Sequence, residues 1–264
     1  MPYLRLKITK NIEKIFEVQD GMTIGREPKN QIQLLNTSVS RVHAQILSEG
    51  DKFKVIDLGS SNGIKVNDVK VKEHTLEHGD HIQIGTMLIV FEADPTGPPQ
   101  EYINIAQMEL TPEKIESLCQ GKIIAMIFPT SHEFVERAVE VGERYLDKTD
   151  FSESDKQGLV MAFREAIGNA ARHGNKDDYN KMIKVIYENN GDRFLLSVED
   201  EGEGFDFMEM LKKTEEGDAV SAARERYKAG GIGGLGLRVM LKCVDQLKYY
   251  NKGSRLVLVK RKNG

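Results

Sequence analysis

The sequence predicts two domains, an all-β sandwich followed by an α+β sandwich, and its length of 264 residues suits two domains. Over residues 1–94, short alternating apolar runs are separated by Gly, Asn and Asp turns, which is typical of a β-sandwich. A Pro- and Gly-rich stretch then marks a boundary. Over residues 122–264, apolar runs with helical spacing alternate with strand-like runs. Residues 95–121 are predicted to be a linker with a short helix.

Eight short runs predict the strands of the first domain. Each is rich in β-branched, aromatic or other apolar residues and is bounded by turn residues. The runs are Tyr3–Ile8, Ile12–Val18, Met22–Ile24, Ala44–Leu47, Phe53–Asp57, Ile64–Val66, His81–Ile84 and Met87–Phe91.

Three loops between these strands carry the residues typical of a phosphate site. Gly25-Arg26 follows one strand, Ser40-Arg41-Val42-His43 comes fifteen residues later, and Ser61-Asn62-Gly63 follows. A guanidinium makes directional, charge-assisted hydrogen bonds to phosphate, and hydroxyl groups supply further donors. Turn chemistry alone favours Ser, Asn and Gly in any one loop, but it explains three correctly ordered loops poorly.

Residues 1–94 therefore closely resemble the forkhead-associated (FHA) domain, a non-enzymatic module that binds phosphothreonine peptides. The resemblance implies that the phosphate is held by Arg26, Ser40 and Arg41. It also implies that Ser61 and Asn62 hold the peptide backbone. The expected partner is a phosphothreonine-containing protein.

The segment after the linker predicts one short helix. Thr111-Pro112-Glu113 offers a capping hydroxyl followed by a proline in the first turn. The sequence does not indicate which domain this segment packs against.

Glu165 and Asn169 are the first candidate residues of the second domain. Their spacing of four places both side chains on one face of a predicted helix. The Asn169 oxygen is a ligand type that Mg²⁺ accepts, and the Glu165 carboxylate can accept a proton from an attacking hydroxyl or water. Taken alone, such a pair is more often part of a solvated polar stripe.

A second motif follows a predicted strand over 194–199. Asp200 ends the strand, and a carboxylate there can accept a hydrogen bond from an amino group such as that of adenine. Gly202 and Gly204 allow backbone to approach a ligand closely. An ordinary acidic turn after a strand is the alternative.

A third motif is the glycine-rich stretch 230–237, which runs into an amphipathic helix predicted over Leu235–Gln246. Free N–H groups at a helix N-terminus favour phosphate. The stretch is interrupted by Ile232 and ends in Gly234, Leu235, Gly236 and Leu237.

Together and in this order, the three motifs over 122–264 resemble the Asn box and glycine boxes of the GHKL, or Bergerat-fold, ATP-binding family. The chain end is similar to the anti-sigma-factor serine kinase branch. The resemblance implies ATP and Mg²⁺ as cofactors, Glu165 as the catalytic base and Asn169 as the Mg²⁺ ligand. The residues that would bind ATP are Asp200, Gly202, Gly204, Gly234, Leu235, Gly236 and Leu237, together with Asn169. The 211–229 segment would be a short lid, with Arg224, Arg226 and Lys228 as candidate contacts to the phosphates of the nucleotide or to a partner.

Histidine kinases share this ATP fold, and Ser131-His132-Glu133-Phe134 superficially resembles their phosphoacceptor motif. That histidine normally lies on a separate two-helix hairpin. The residues between His132 and Asn169 are already needed for the first helix of the domain and for the Asn-box helix. We therefore expect His132 near the start of a helix, after a strand over 122–128.

Composition excludes several other classes. The net charge is −4, and the sequence offers no basic patch that would favour nucleic acid. The apolar run Ile123–Phe128 is too short to span a membrane, and no signal peptide is evident. Cys119 and Cys243 suggest neither a metal site nor a disulfide framework. A cytoplasmic protein is expected.

The predicted function is an ATP-dependent serine/threonine kinase that phosphorylates a small anti-sigma-factor antagonist. A sigma factor is a further expected partner, and homodimerisation is common in the resembled branch. One alternative is a non-catalytic switch in which ATP only holds a partner-binding conformation. The other is an ATPase that couples hydrolysis to a conformational change.

Overall fold

The computed structural model describes residues 2–93, 101–204, 234–250 and 253–262. The chain divides into two compact units, an N-terminal unit over 1–98 and a C-terminal unit over 99–264. The segment 101–121, which the sequence assigned to neither domain, lies in the C-terminal unit.

The N-terminal unit is built from two sets of strands. One set pairs in the order β2-β1-β11-β10-β7-β8 and the other in the order β4-β3-β5-β6-β9. The strands are β1 Pro2–Lys7, β2 Ile12–Glu17, β3 Thr23–Gly25, β4 Ile32–Gln33, β5 Ala44–Glu49, β6 Lys52–Asp57, β7 Ile64–Val66, β8 Val69–Val71, β9 Glu73–Thr75, β10 His81–Ile84 and β11 Met87–Ala93.

One apolar core holds this unit together, because alternate residues of the strands point inward. Residues from both sets of strands are almost fully buried in it, among them Leu4, Ile24, Ile46, Val55, Ile82 and Ile89. The eight predicted strands are all present. The sequence missed β4, β8 and β9, which are only two or three residues long.

The C-terminal unit places helices on a sheet with the order β12-β13-β14-β15-β17-β16. Its strands are β12 Ile103–Asn104, β13 Ile123–Pro129, β14 Met182–Asn189, β15 Arg193–Asp200, β16 Gln246–Tyr250 and β17 Arg255–Arg261. Its described helices are α1 Pro112–Leu118, α2 His132–Asp147, α3 Glu153–Asn169 and α4 Gly234–Cys243, with a 3-10 turn at Ile105–Gln107 and a π-helical turn at Ala170–Gly174.

An aromatic cluster fixes the helices on this sheet. The Phe163 ring of α3 lies 5.1 Å from the Tyr187 ring of β14 and 5.8 Å from the Phe194 ring of β15, measured between centroids. The Tyr187 hydroxyl donates to the Ala138 carbonyl oxygen of α2 at 2.9 Å. These buried aromatic contacts pack α3 against the sheet and so fix the position of the candidate site relative to the strands.

Capping residues start the helices where the sequence predicts. The Thr111 hydroxyl accepts from Lys114 N, and Pro112 is the first residue of α1. The Ser131 hydroxyl accepts from Phe134 N, so His132 is the first residue of α2, in agreement with its expected position.

The predicted helix Leu235–Gln246 is too long at its C-terminal end. The helix ends at Cys243, and Gln246 already begins β16. Asp245 N donates to Val259 O at 2.9 Å, so the chain has joined the sheet by that residue. Leu247 and Tyr249 then alternate inward in the burial pattern of a strand.

Candidate functional site

A cavity of about 630 Å³ lies at one end of the N-terminal unit. It is formed by the loops that follow β3, precede β5 and follow β6. Its lining residues are Arg26, Glu27, Lys29, Thr37, Ser38, Val39, Ser40, Arg41, Val42, Ser61 and Asn62. The structure thus brings the five predicted phosphopeptide residues together. Thr37, Ser38 and Lys29 line the same cavity, although no motif in the sequence pointed to them.

Buried His43 ties these loops together. Ser40 N donates to His43 Nδ1 at 3.0 Å, so Nδ1 is the acceptor of a neutral ring. The proton then lies on Nε2, which donates to the Gly63 carbonyl oxygen at 3.1 Å. One fully buried imidazole therefore positions the Ser40 loop against the Ser61–Gly63 loop.

Further hydrogen bonds place the Ser40 loop between the other two. Arg26 N donates to Ser40 O at 2.9 Å on one side. On the other side, Ser61 N donates to Ser40 Oγ at 3.1 Å and Asn62 Nδ2 donates to Ser38 O at 2.7 Å. The exposed side chains of Arg26 and Arg41 stand at the opening of this framework.

The cavity is positively charged overall. It carries the cations of Arg26, Lys29 and Arg41 and the single carboxylate of Glu27. Glu27 lies 3.0 Å from Lys29 Nζ and 3.9 Å from Arg41 Nε. Within the described residues, Arg26 forms no ion pair. A phosphate carrying a charge of about −1.5 to −2 would therefore meet a surplus of positive charge.

In the C-terminal unit, Glu165 and Asn169 lie one turn apart at the end of α3, as predicted from their spacing. Asn169 Nδ2 donates to Glu165 Oε1 at 2.9 Å. This bond turns the carboxamide oxygen away from the glutamate, and Arg172 Nη2 donates to that oxygen at 3.3 Å. A π-helical turn follows at once, a feature that often occurs at functional sites.

Asp200 lies at the end of β15 with its carboxyl group half-buried. Burial raises the pKa of this carboxyl to about 6, although a hydrogen bond from Gly202 N acts in the opposite direction. That bond joins Gly202 N to Asp200 Oδ1 at 2.8 Å. At neutral pH Asp200 is mostly ionised and can accept a hydrogen bond from a ligand.

Four glycines keep the site open. A Cβ atom on Gly174 would lie 2.3 Å from Asp200 Cγ, and one on Gly202 would lie 2.2 Å from Gly174 O. A Cβ atom on Gly236 would lie 1.7 Å from Glu165 Oε1. Gly204 has a φ of +76°, which side chains rarely permit. The role of Gly174 was missed, because its need for space depends on a residue far away in sequence.

A cavity of about 90 Å³ separates the Asn169 end of α3 from Asp200. Its described lining combines apolar side chains with the polar groups of Asn169, His173 and Asp200. The lining is Ala166, Asn169, Ala170, His173, Gly174, Val198, Asp200, Gly204, Met240, Tyr249, Gly253 and Leu256. This is smaller than the ~300 Å³ or more of a complete ligand pocket, so it suits the planar base of a nucleotide rather than the whole molecule.

The donor set also fits Mg²⁺. Within the described residues no group of three or more His, Cys, Asp or Glu side chains could hold a metal ion. Mg²⁺ in nucleotide sites commonly takes only one or two protein ligands, with phosphates and water completing the shell. A single carboxamide, that of Asn169, is therefore a sufficient protein contribution.

Buried Asn175, to which no motif in the sequence pointed, stabilises the site through hydrogen bonds to three other segments. Asn175 donates through Nδ2 to Thr130 Oγ1 at 2.8 Å and to Met182 O at 3.0 Å. Its oxygen accepts from Glu201 N at 2.8 Å. Asn175 thereby connects the π-helical turn to the backbone that follows Asp200.

Part of the predicted nucleotide site lies outside the described residues. The stretch 230–233 and the predicted lid, with Arg224, Arg226 and Lys228, belong to it. Gly234 and Leu235 begin α4, and Gly236 and Leu237 continue it as buried residues. Among the described residues, no helix is both long and apolar enough to cross a membrane.

Comparison with known proteins assigns a family model to each unit. Residues 128–260 match the model of the histidine kinase-like ATPase domain, and residues 22–85 match that of the FHA domain.

Three relatives illustrate the similarity of the N-terminal unit. The glycogen accumulation regulator GarA of Mycolicibacterium smegmatis is 42% identical over 77 residues, which are 29% of this chain and 49% of that protein. An oxoglutarate dehydrogenase inhibitor of Corynebacterium jeikeium is 41% identical over 73 residues, 28% of this chain and 51% of that protein. The chain thus spans about half the length of these curated relatives. The structure of Mycobacterium tuberculosis EmbR with a low-affinity phosphopeptide is 33% identical, covers 36% of this chain and 26% of that chain, and has a TM-score of 0.33.

Proposed function

The chain belongs to the histidine kinase-like ATPase family, and from this premise we propose that it is an ATP-dependent serine/threonine protein kinase of the anti-sigma-factor type. The resemblance to this family and to the FHA domain is confirmed, and so is the predicted fold class. An ATPase domain of this kind implies ATP binding, usually with Mg²⁺, and FHA domains bind phosphothreonine-containing proteins.

One observation carries the proposal for the catalytic unit. Glu165 and Asn169 share one face of α3, beside the cavity whose far wall is Asp200. Asp200 would accept a hydrogen bond from the amino group of adenine. At the other end, the Asn169 oxygen would face Mg²⁺, which neutralises charge on the phosphates when bound.

Glu165 would act as the base. The substrate hydroxyl oxygen forms a bond to the γ-phosphorus as the bond to the β-phosphate oxygen breaks and ADP leaves. The hydroxyl proton passes to the Glu165 carboxylate. Positioning and charge neutralisation supply most of the acceleration in such reactions. The proposed substrate is a small anti-sigma-factor antagonist, and a sigma factor and a second copy of the chain are further proposed partners.

The other candidate is a non-catalytic ATP-dependent switch, and one contact favours it. Glu165 accepts the hydrogen bond that orients Asn169. The carboxylate therefore has a use in nucleotide binding that requires no proton transfer.

The variant Glu165→Gln separates the two functions. Glutamine retains an oxygen that can accept from Asn169 Nδ2, so ATP affinity should stay within about threefold of wild type. As a base it is ineffective, so phosphate transfer from ATP to the purified antagonist should fall by about 10²-fold or more. Undiminished transfer would contradict the role of Glu165. Absent transfer by wild type that binds both ATP and antagonist would favour the switch.

A further inference from the structure

The β7–β8 hairpin carries two lysines that face each other. Its two-residue turn, Asn67-Asp68, has φ values of +49° and +67°, as a tight hairpin turn requires. The register pairs Lys65 directly with Lys70. Both side chains are exposed, and we call these two residues the lysine pair.

Like charges placed directly opposite each other on neighbouring strands destabilise a sheet. Within the described residues, neither amine has a carboxylate partner. Two other lysines of the same unit, Lys54 and Lys29, do have one. Lys54 lies 2.6 Å from a Glu49 oxygen, and Lys29 lies 3.0 Å from a Glu27 oxygen. A pair of like charges that destabilises the hairpin, with no nearby carboxylate among the described residues to offset it, suggests a role in binding.

The lysine pair lies next to the phosphopeptide cavity. A Cβ atom on Gly63 would lie 2.7 Å from Lys70 Cε and 3.3 Å from Lys70 Nζ, so the side chain crosses directly over Gly63. Gly63 has a φ of +73° and follows Asn62, a lining residue of the cavity. The positive charge therefore stands at the edge formed by the Ser61–Gly63 loop.

The opposite edge of the cavity has a carboxylate among its cations. The Ser40 loop is bonded to Arg26 on one side and to Ser61 on the other. Glu27 follows Arg26, and its carboxylate already faces Lys29 and Arg41. An acidic ligand residue on that side would meet the Glu27 carboxylate, which partly offsets the charges of Lys29 and Arg41. On the Gly63 side it would meet two uncompensated amines.

We propose that Lys65 and Lys70 form a second anion-binding subsite, which takes acidic side chains flanking the phosphothreonine of the partner protein. The inference rests on phosphothreonine binding at the neighbouring cavity and narrows the class of partner. The ligand is a phosphothreonine segment with glutamate or aspartate on one side only. Because the subsite is exposed, its contribution depends on salt.

The test uses the full chain and fluorescent phosphothreonine peptides measured by anisotropy. One peptide has neutral flanks, one has three glutamates before the phosphothreonine, one has three after it, and one has a second phosphothreonine in place of the glutamates. We expect one of the two glutamate peptides to bind roughly three- to tenfold more tightly than the neutral peptide at low salt, as exposed charge pairs contribute modestly. The other should show no gain.

The double variant Lys65→Gln/Lys70→Gln should lose that gain and still bind the neutral peptide normally. Removal of the like-charge pair should not unfold the hairpin, so normal binding of the neutral peptide also reports a folded unit. The matched control is Lys52→Gln/Lys122→Gln, two exposed lysines without an ion-pair partner in the described ranges. Lys52 follows the β5–β6 turn, at the end of those strands away from the cavity. The control should keep the gain.

Three outcomes would overturn the proposal. They are a gain that persists in the lysine-pair variant, an equal gain from both glutamate peptides, and no gain from either. A gain from the second phosphothreonine alone would overturn the carboxylate assignment. If wild type binds no phosphothreonine peptide at all, including the neutral one, phosphothreonine recognition itself fails, which distinguishes that failure from failure of the subsite.

Discussion

Gly174 and Asp200 lie so close together that a Cβ atom on the glycine would stand 2.3 Å from Cγ of the carboxyl group. The two residues come from different elements, the π-helical turn after α3 and the end of β15. Their contact sets the width of the cavity to which Asp200 contributes its carboxyl group. The nucleotide site therefore depends on a glycine that itself offers no side chain to a ligand.

Replacing Gly174 with alanine should impair ATP binding. The added methyl group must push the Asp200 carboxyl aside, because the two cannot share the space. We expect at least a tenfold weaker affinity for ATP in calorimetry. The control is Gly158→Ala within α3, where the new Cβ would meet Cys243 Sγ at an ordinary 3.4 Å. Equal ATP affinity in Gly174→Ala and wild type would show that Asp200 does not position the nucleotide.

ATP binding should weaken on acidification. The pKa of Asp200 is raised to about 6 by burial, so its carboxylate takes up a proton as the pH falls through 6. A protonated carboxyl group is a poorer acceptor for the adenine amino group, and the affinity should fall about tenfold between pH 7.5 and 5. The free energy of unfolding of the nucleotide-free protein should change in the opposite sense and rise on acidification. Because the native pKa exceeds the unfolded one, protonation of Asp200 adds stability as the pH falls from about 6 towards 4.

Isothermal titrations with ATP from pH 7.5 to 5 would measure this dependence. Glu165→Gln serves as the control, because it retains Asp200 and should show the same fall in affinity. A loss of the pH dependence in that variant would assign the titration to Glu165 instead.

Arg26→Ala should abolish binding of phosphothreonine peptides. Its guanidinium is exposed at the cavity and forms no ion pair with a described residue, so its removal should leave the unfolding temperature nearly unchanged. ATP affinity should also be unchanged, because Arg26 belongs to the other unit. Peptide binding by anisotropy and ATP binding by calorimetry on the same preparation test both statements. Simultaneous loss of both would indicate a folding defect rather than a lost phosphate contact.

His43→Ala should destabilise the N-terminal unit and weaken peptide binding together. The substitution leaves Ser40 N and the Gly63 carbonyl oxygen, both part-buried, without their partner. The cost is about 1–3 kcal/mol in the free energy of unfolding. His43→Gln can both accept and donate, so it should recover part of the loss in urea unfolding experiments. Unchanged stability of His43→Ala would contradict the structural role assigned to the ring.

The sequence predicted those parts of the molecule that depend on local pattern. The N-terminal strands with clear alternation are present, and Arg26, Ser40, Arg41, Ser61 and Asn62 line one cavity. Glu165 and Asn169 face each other because their spacing matches one helical turn.

Other features depend on contacts between distant residues and leave no local signal. Gly174 is needed because of Asp200, and Asn175 is buried among groups from three separate segments. The lysine pair is visible only when β7 and β8 are in register. The helix predicted to reach Gln246 ends at Cys243. The chain from Gln246 onward pairs with β17 as a strand, which helical periodicity alone does not reveal.

The measurement that tests the central claim most directly is calorimetric titration of ATP, with and without Mg²⁺, into wild type and Asp200→Asn at pH 7.5. The account predicts binding by wild type that Mg²⁺ strengthens and that Asp200→Asn weakens by about tenfold or more, since a neutral amide oxygen accepts a weaker hydrogen bond from the adenine amino group than a carboxylate does. Absence of binding by a well-folded wild type, or undiminished binding by Asp200→Asn, would contradict it.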